Sequence, residues 1–207
     1  MFTIVHQDED LIQFHKSGAL IEGHFVLTSN GREVHADSTF DLTSVYSKDA
    51  YMDKWLTPVA SKMRDKGINA LLISTRGGWD IASRLHDMAV MPPGKFPLLG
   101  ATIPGVDGPD ISPRLRELMY GRHVSIVTDI IAGGEGILRM VQLTREAGAI
   151  PVMIAALGNT TNLTEIPCKT GNIPVVVRFG KESFDKITVN TYDPKSCPLC
   201  MEEIPFS

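Results

Sequence analysis

The sequence predicts an α/β fold, a parallel central sheet flanked by helices, and two segments carry that expectation. Residues 124–136, VSIVTDIIAGGEG, run from a β-branched strand through an acid at its carboxyl end, Asp129, into a turn containing Gly133, Gly134 and Gly136. The helix after it, ILRMVQLTREAGA, sets Ile137, Met140, Val141 and Leu143 on one face, stops at Gly148 and gives way at once to the strand IPVMIAA. Residues 68–88, INALLISTRGGWDIASRLHDM, repeat the order with a strand over 70–74, a turn over 75–78 and a helix beginning near Trp79. Two such βα units bring both glycine turns to the carboxyl edge of one parallel sheet, where α/β proteins hold their ligands. Backbone N–H groups left free at a helix start suit a phosphate or a sugar.

The intervening chain fits the same alternation. Ser47 is the expected N-cap of a helix through Lys66 that sets Tyr51, Met52, Trp55, Val59 and Met63 on one side. FPLLGAT, residues 96–102, reads as a short strand. Ser112-Pro113 opens the brief helix RLRELM as N-cap and first helical residue. Residues 92–94 and 104–113 are rich in Pro, Gly and Asp and read as loops. Strands alternating with helices of this length predict helices on both faces of the sheet.

Composition fits one enzyme-sized domain, since 207 residues with 43% hydrophobic content can bury a full core. The net charge of −4 supplies no basic footprint, which argues against non-specific nucleic-acid binding. Apolar runs such as IPVMIAAL are too short to span a bilayer, and the opening MFTIVHQDED carries no basic region before an apolar stretch. The expectation is a cytoplasmic protein without a membrane partner. Cys197 and Cys200 form a C-x-x-C in a Pro-rich turn, with Cys168 far away. A zinc site takes four ligands, and no second C-x-x-C or paired-His motif accompanies this one. A structural role is favoured over a metal or redox role, and no metal ligand is assigned. His6, His15, His24, His35, His86 and His123 show no metal-like spacing.

The segment 124–136 resembles the phosphoribosyl diphosphate motif of type I phosphoribosyltransferases, in which a hydrophobic strand runs into two acids, two apolar residues and a Thr/Gly-rich phosphate loop. Residues 17–29, SGALIEGHFVLTS, resemble the opening of the orotate phosphoribosyltransferases. Residues 191–205, TYDPKSCPLCMEEIP, look like that group's carboxyl end, a Tyr-Asp-Pro turn followed by Cys-Pro-Leu-Cys and a Gly-Ile-Pro-like exit. The resemblance implies a single domain over 1–207, with a core of about 46–179 and a small hood from about 1–45 and 180–207. It implies that Asp129 orients ribose hydroxyls, beside Thr128. The loop Ala132, Gly133, Gly134, Glu135 and Gly136 would hold a terminal phosphate, and Arg76 with Gly77 and Gly78 would hold diphosphate. It further implies Mg²⁺ on the leaving group, a sugar phosphate or nucleotide as ligand, and a homodimer.

The sequence departs from the family pattern at three places. Thr128 stands where the motif's first acid belongs, and Glu135 and Gly136 stand where loop hydroxyls belong, with Glu135 bringing negative charge toward an anion. Residues 100–122, where orotate enzymes keep a mobile Lys-rich loop, contain no lysine. Their basic residues are Arg114, Arg116 and Arg122, while Asp107 and Asp110 carry the wrong charge for diphosphate. Three readings follow, in this order: a phosphoribosyltransferase-like enzyme with an altered donor or acceptor, a non-catalytic ligand-sensing protein of the same fold, and an ordinary orotate phosphoribosyltransferase.

Overall fold

The computed structural model describes residues 9–29, 32–46, 49–64, 66–73, 75–88, 98–100, 111–132, 134–168, 171–185 and 190–207. The chain divides into two compact units, residues 1–48 with 182–207 and residues 49–181. The first opens with helix α1 (Glu9–Lys16). An antiparallel hairpin of β1 (Leu20–Ser29) and β2 (Arg32–Phe40) follows, then the single turn α2 (Thr43–Tyr46). Between Glu22 and Phe25 the register slips by one residue, a β-bulge at Gly23 and His24.

The second unit is the α/β core. In order it contains α3 (Asp49–Arg64), β3 (Ala70–Ile73), α4 (Arg76–Met88), β4 (Leu98–Gly100), α5 (Pro113–Met119), β5 (His123–Ile131), α6 (Glu135–Glu146), β6 (Ile150–Asn159), β7 (Glu165–Ile166) and β8 (Ile173–Phe179). The described strands form one sheet in the order β4-β3-β5-β6-β8-β7, parallel except for β7. Helices cover both faces. Ala70, Leu72, Val124, Ile126, Ile154 and Ala156 pack with Leu115 and Met119 of α5 and with Ile137, Met140 and Val141 of α6. The alternate strand residues Leu71, Ile73, Val127 and Met153 are equally buried and face the side of α3 and α4. α3 brings Trp55 against Phe179 of β8 at 5.3 Å between ring centroids, and Asp53 accepts an exposed 2.9 Å bond from Arg84 of α4.

The chain then re-enters the first unit through α7 (Lys181–Phe184), β9 (Thr191–Tyr192) beside β2, a 3-10 turn (Pro194–Ser196) and α8 (Pro198–Met201). Phe14, Phe40 and Phe184 form an aromatic core there, with centroids 5.2 to 6.3 Å apart. Asp193 caps the 3-10 turn by accepting from the Lys195 amide at 2.9 Å. Past α8 the chain reverses in a Schellman motif: the Glu203 amide donates to Cys200 and the Ile204 amide to Leu199, with Glu203 at φ 56°.

Several element limits differ from those read in the sequence. Ser47 and most of FPLLGAT lie outside the described residues, and α3 is described from Asp49. α5 begins as expected, with the Ser112 hydroxyl accepting from the Leu115 amide at 3.3 Å and Pro113 in its first position. α4 begins at Arg76, not near Trp79, and α6 begins at Glu135, not after Gly136. In both cases glycines read as turn residues lie inside the first helical turn.

Candidate functional site

The strand order reverses direction between β3 and β5. From β3 the chain crosses by α4 to β4 on one side, and from β5 it crosses by α6 to β6 on the other. With α4 and α6 on opposite faces, a crevice opens outside the carboxyl ends of β3 and β5, the usual ligand position in such sheets. Asp129 stands there on β5, half-buried, with Ile130 and Ile131 completing the strand beyond it. Its Oδ1 accepts from the Thr75 hydroxyl at 3.1 Å, the Thr128 hydroxyl at 3.2 Å and the Ile130 amide at 2.9 Å. Among the described residues, no protein donor reaches Oδ2. Thr75 follows β3, so this cluster ties the two strand ends that flank the reversal.

Thr75 is also the N-cap of α4, its hydroxyl accepting from the Gly78 amide at 3.0 Å. This corrects the expectation that Gly78 offers a free amide: the amide is used by Thr75. Glycine also suits the packing, because a Cβ there would lie 3.1 Å from both the Val127 carbonyl and the Ile73 side chain, tighter than ordinary contact, so a bare Cα eases the approach of α4 to β3 and β5. Gly77 is half-buried in the same turn. Arg76 is the first residue of α4, and its side chain lies outside the described part of the structure.

On β5's far side the turn runs from exposed Ala132 through Gly133, which is outside the described residues, to Gly134. Gly134 is the N-cap of α6 at φ 83°, a left-handed conformation that glycine adopts without strain, and no side chain caps this helix. Glu135 and Gly136 are exposed, and a Cβ added at Gly136 meets open space. The turn is braced from β6: the Thr160 hydroxyl donates to the carbonyls of Ile131 at 3.2 Å or Ala132 at 3.1 Å. Asn159 fixes the loop beyond by accepting from the Thr161 amide at 2.9 Å and donating to the Leu163 carbonyl at 2.8 Å. Thr75, Asn159 and Thr160 carry this architecture without having been singled out in the sequence, where isolated polar residues at strand ends have no periodic signature.

Two of the three arginines of residues 111–122 are engaged with main chain. Arg116 donates to the Ile111 carbonyl at 3.0 Å. Arg122 donates to the Leu118 carbonyl at 2.6 Å and precedes β5, so it stands at the amino edge of the sheet. Asp129 is seven residue steps further along the strand, about 23 Å at ~3.3 Å per step. Arg114 is exposed, and residues 101–110 with Asp107 and Asp110 lie outside the described residues.

A second grouping lies wholly in the other unit, where one nitrogen each of His24 and His35 and the sulfurs of Cys197 and Cys200 all fall within 4.8 Å of one another. No metal was assigned to these residues from the sequence, because the two histidines are distant from the C-x-x-C and lack a recognisable spacing. Desolvation, then the hydrogen bond and charge of Cys197, push the Cys200 thiol above its ordinary value.

The architecture of the second unit is the type I phosphoribosyltransferase fold. An orotate phosphoribosyltransferase from Aeropyrum pernix superposes with a TM-score of 0.59 at 17% identity, over 85% of this chain and 96% of that one. An adenine phosphoribosyltransferase from Thermoanaerobacter pseudethanolicus gives 0.58 at 16% identity, over 82% and 99%. No protein-family profile matches the chain. In sequence, an orotate phosphoribosyltransferase of Desulforamulus reducens is 24% identical over 97% of this chain and 95% of its own length. One from Chlorobaculum parvum is 26% identical over 96% and 92%. The chain thus has the type I phosphoribosyltransferase fold and is similar in sequence, over nearly its whole length, to orotate phosphoribosyltransferases.

Proposed function

We propose that this chain is a phosphoribosyltransferase-like enzyme that moves a (phospho)ribosyl-type group to or from a nitrogenous base, with a donor or acceptor altered from the orotate reaction. The observation that carries the reading is the Asp129 cluster at the strand-order reversal. A carboxylate oxygen with no donor among the described residues lies on the strand that leads into a helix start without a side-chain cap, the pairing that a ribose and its terminal phosphate require. In such a transfer the base nitrogen bonds to the anomeric carbon as the bond to diphosphate breaks, the electron pair leaving on diphosphate. The sugar becomes oxocarbenium-like, and the protein acts by positioning and electrostatics. Asp129 would orient the ribose hydroxyls with Thr128 beside it, the turn at Ala132, Gly133 and Gly134 with the first amides of α6 would hold the terminal phosphate, and Arg76 with Gly77 would hold diphosphate. Mg²⁺ fits this arrangement, because it is commonly held by one carboxylate plus substrate phosphates, and Asp129 offers that carboxylate; it would supply charge neutralisation to the leaving group.

Among the described residues no helix is long and apolar enough to cross a membrane. A cytoplasmic homodimer acting on a sugar phosphate or nucleotide completes the proposal, and the acidic composition argues against a nucleic-acid partner. Glu135 and the lysine-free segment 100–122 favour a second reading, a ligand-sensing protein that binds without turnover. Thermal-shift titration with phosphoribosyl diphosphate, ribose 5-phosphate, nucleoside monophosphates and nucleosides, each with and without Mg²⁺, tests both. A ligand at a hundredfold over its Kd adds about 2.7 kcal/mol of stability. Binding with product formation supports the enzyme, binding alone the sensor, and no response from any phosphorylated sugar would remove both.

A further inference from the structure

We infer that the first unit contains a closed structural zinc site formed by His24, His35, Cys197 and Cys200, independent of the proposed transferase activity. A tetrahedral zinc ion with Zn–S of about 2.3 Å and Zn–N of about 2.0–2.1 Å requires S···N edges of roughly 3.5 Å and an N···N edge of roughly 3.3 Å. The four side chains match: His24 Nε2 lies 3.1 Å from His35 Nδ1, 3.6 Å from Cys197 Sγ and 3.6 Å from Cys200 Sγ, and Cys200 Sγ lies 3.2 Å from His35 Nδ1.

The hydrogen bonds around the cluster point to the same ion. His24 Nδ1 donates to the Ile204 carbonyl at 2.7 Å, which leaves a lone pair on Nε2. His35 Nε2 pairs with the Glu33 carboxylate at 3.6 Å, which leaves the lone pair on Nδ1. In those tautomers two acceptor nitrogens face each other across 3.1 Å, a pair that either a shared proton or a metal ion would bridge. Histidines held through their outer nitrogen by a carbonyl and a carboxylate are the usual support of metal ligands. The backbone is shaped for the cluster as well. With Ser29 opposite Arg32 and Val26 opposite His35, His24 lies two residues from His35's partner on the same face of the hairpin, and the bulge falls at His24 itself, beyond that register. Phe206 closes over them, its ring 4.1 Å from that of His24 and 5.2 Å from that of His35. Two thiolates and two imidazoles in tetrahedral array select zinc, and four protein ligands leave no open position for catalysis.

Elemental analysis of the full-length protein, purified under reducing conditions without chelator, should find about one zinc per chain. Cobalt(II) replacement should give the visible bands of a tetrahedral thiolate-ligated ion, and chelation should lower the thermal midpoint. Cys197→Ser with Cys200→Ser should lose the metal. If that variant does not fold, Glu33→Ala keeps all four ligands and should weaken zinc retention 10- to 100-fold in chelator competition. Less than about one-tenth equivalent of metal in the wild type, with no uptake of zinc or cobalt by freshly reduced protein, overturns the inference. A Cys197–Cys200 disulfide that survives as the native state does the same.

Discussion

Asp129 concentrates its three protein donors on one oxygen, and that asymmetry sets what its replacement should do. Asp129→Asn retains the shape and one acceptor but removes the charge, so the Oδ1 cluster with Thr75 and Thr128 survives in weakened form while a ribose hydroxyl loses a charged partner. A charge-assisted hydrogen bond contributes about 1.5–3 kcal/mol, so calorimetry should find a ribose-bearing ligand bound roughly 10- to 100-fold more weakly. An unchanged affinity would take Asp129 out of the site. Glu203 presents a different residue-scale case. It occupies the left-handed position of a Schellman turn, where the related orotate enzymes' Gly-Ile-Pro-like exit has glycine, and an L residue is strained there by roughly 1–2 kcal/mol. Glu203→Gly should raise the thermal midpoint by a few degrees, and a fall would show that the carboxylate makes a stabilising contact.

At the scale of elements, the start of α6 decides which anion the turn accepts. Glu135 occupies the first helical position, where a carboxylate is favoured by the helix dipole by about 0.3–1 kcal/mol, so the helix already carries an anion of its own. Replacing Glu135 by Gly and Gly136 by Thr removes that competitor and returns a hydroxyl to a position with room for it. The double variant should bind phosphoribosyl diphosphate more tightly at some loss of helix stability, measured by calorimetry and thermal unfolding; equal or weaker binding would show that Glu135 lies away from the anion. Much of this geometry was legible in the sequence: the strand-acid-glycine order located β5, Asp129 and α6. The helix starts were not, because Gly77, Gly78 and Gly136 look like turn residues to any local reading. For Gly78 the cause is tertiary, the approach of α4 to Val127 and Ile73. The histidine pair was hidden for a related reason. His24 and His35 share a face only once the pairing of Ser29 with Arg32 fixes the hairpin register, and the C-x-x-C that joins them lies more than 160 residues further along the chain.

At the scale of the whole molecule, the proposed ligand position lies where the sheet reverses direction between β3 and β5, and Arg76 is left to hold diphosphate without a lysine-bearing loop to close over it. Residues 100–122 contain no lysine, Arg116 is bound to a backbone carbonyl, and Arg122 lies at the opposite edge of the sheet. Loss of one well-placed charge contact costs roughly a hundredfold in rate, ~3 kcal/mol. With orotate, phosphoribosyl diphosphate and Mg²⁺, orotidine monophosphate should therefore form at about 0.1 per second or slower, against a common enzymatic value of about 10 per second. Turnover at the ordinary rate would make the chain an ordinary orotate phosphoribosyltransferase. The division of the first unit between the two ends of the α/β core has a consequence for biosynthesis. His24 leaves the ribosome 173 residues before its partner Cys197. At about 5–20 residues per second that interval lasts on the order of ten seconds or more, during which the hairpin is without its last strand and the α/β core between them can fold. A released chain truncated at residue 190, which keeps β3 to β8 but lacks Cys197 and Cys200, should therefore leave residues 20–40 open to protease while the α/β core is protected, and equal protection of both would show that the hairpin does not need the carboxyl-terminal segment.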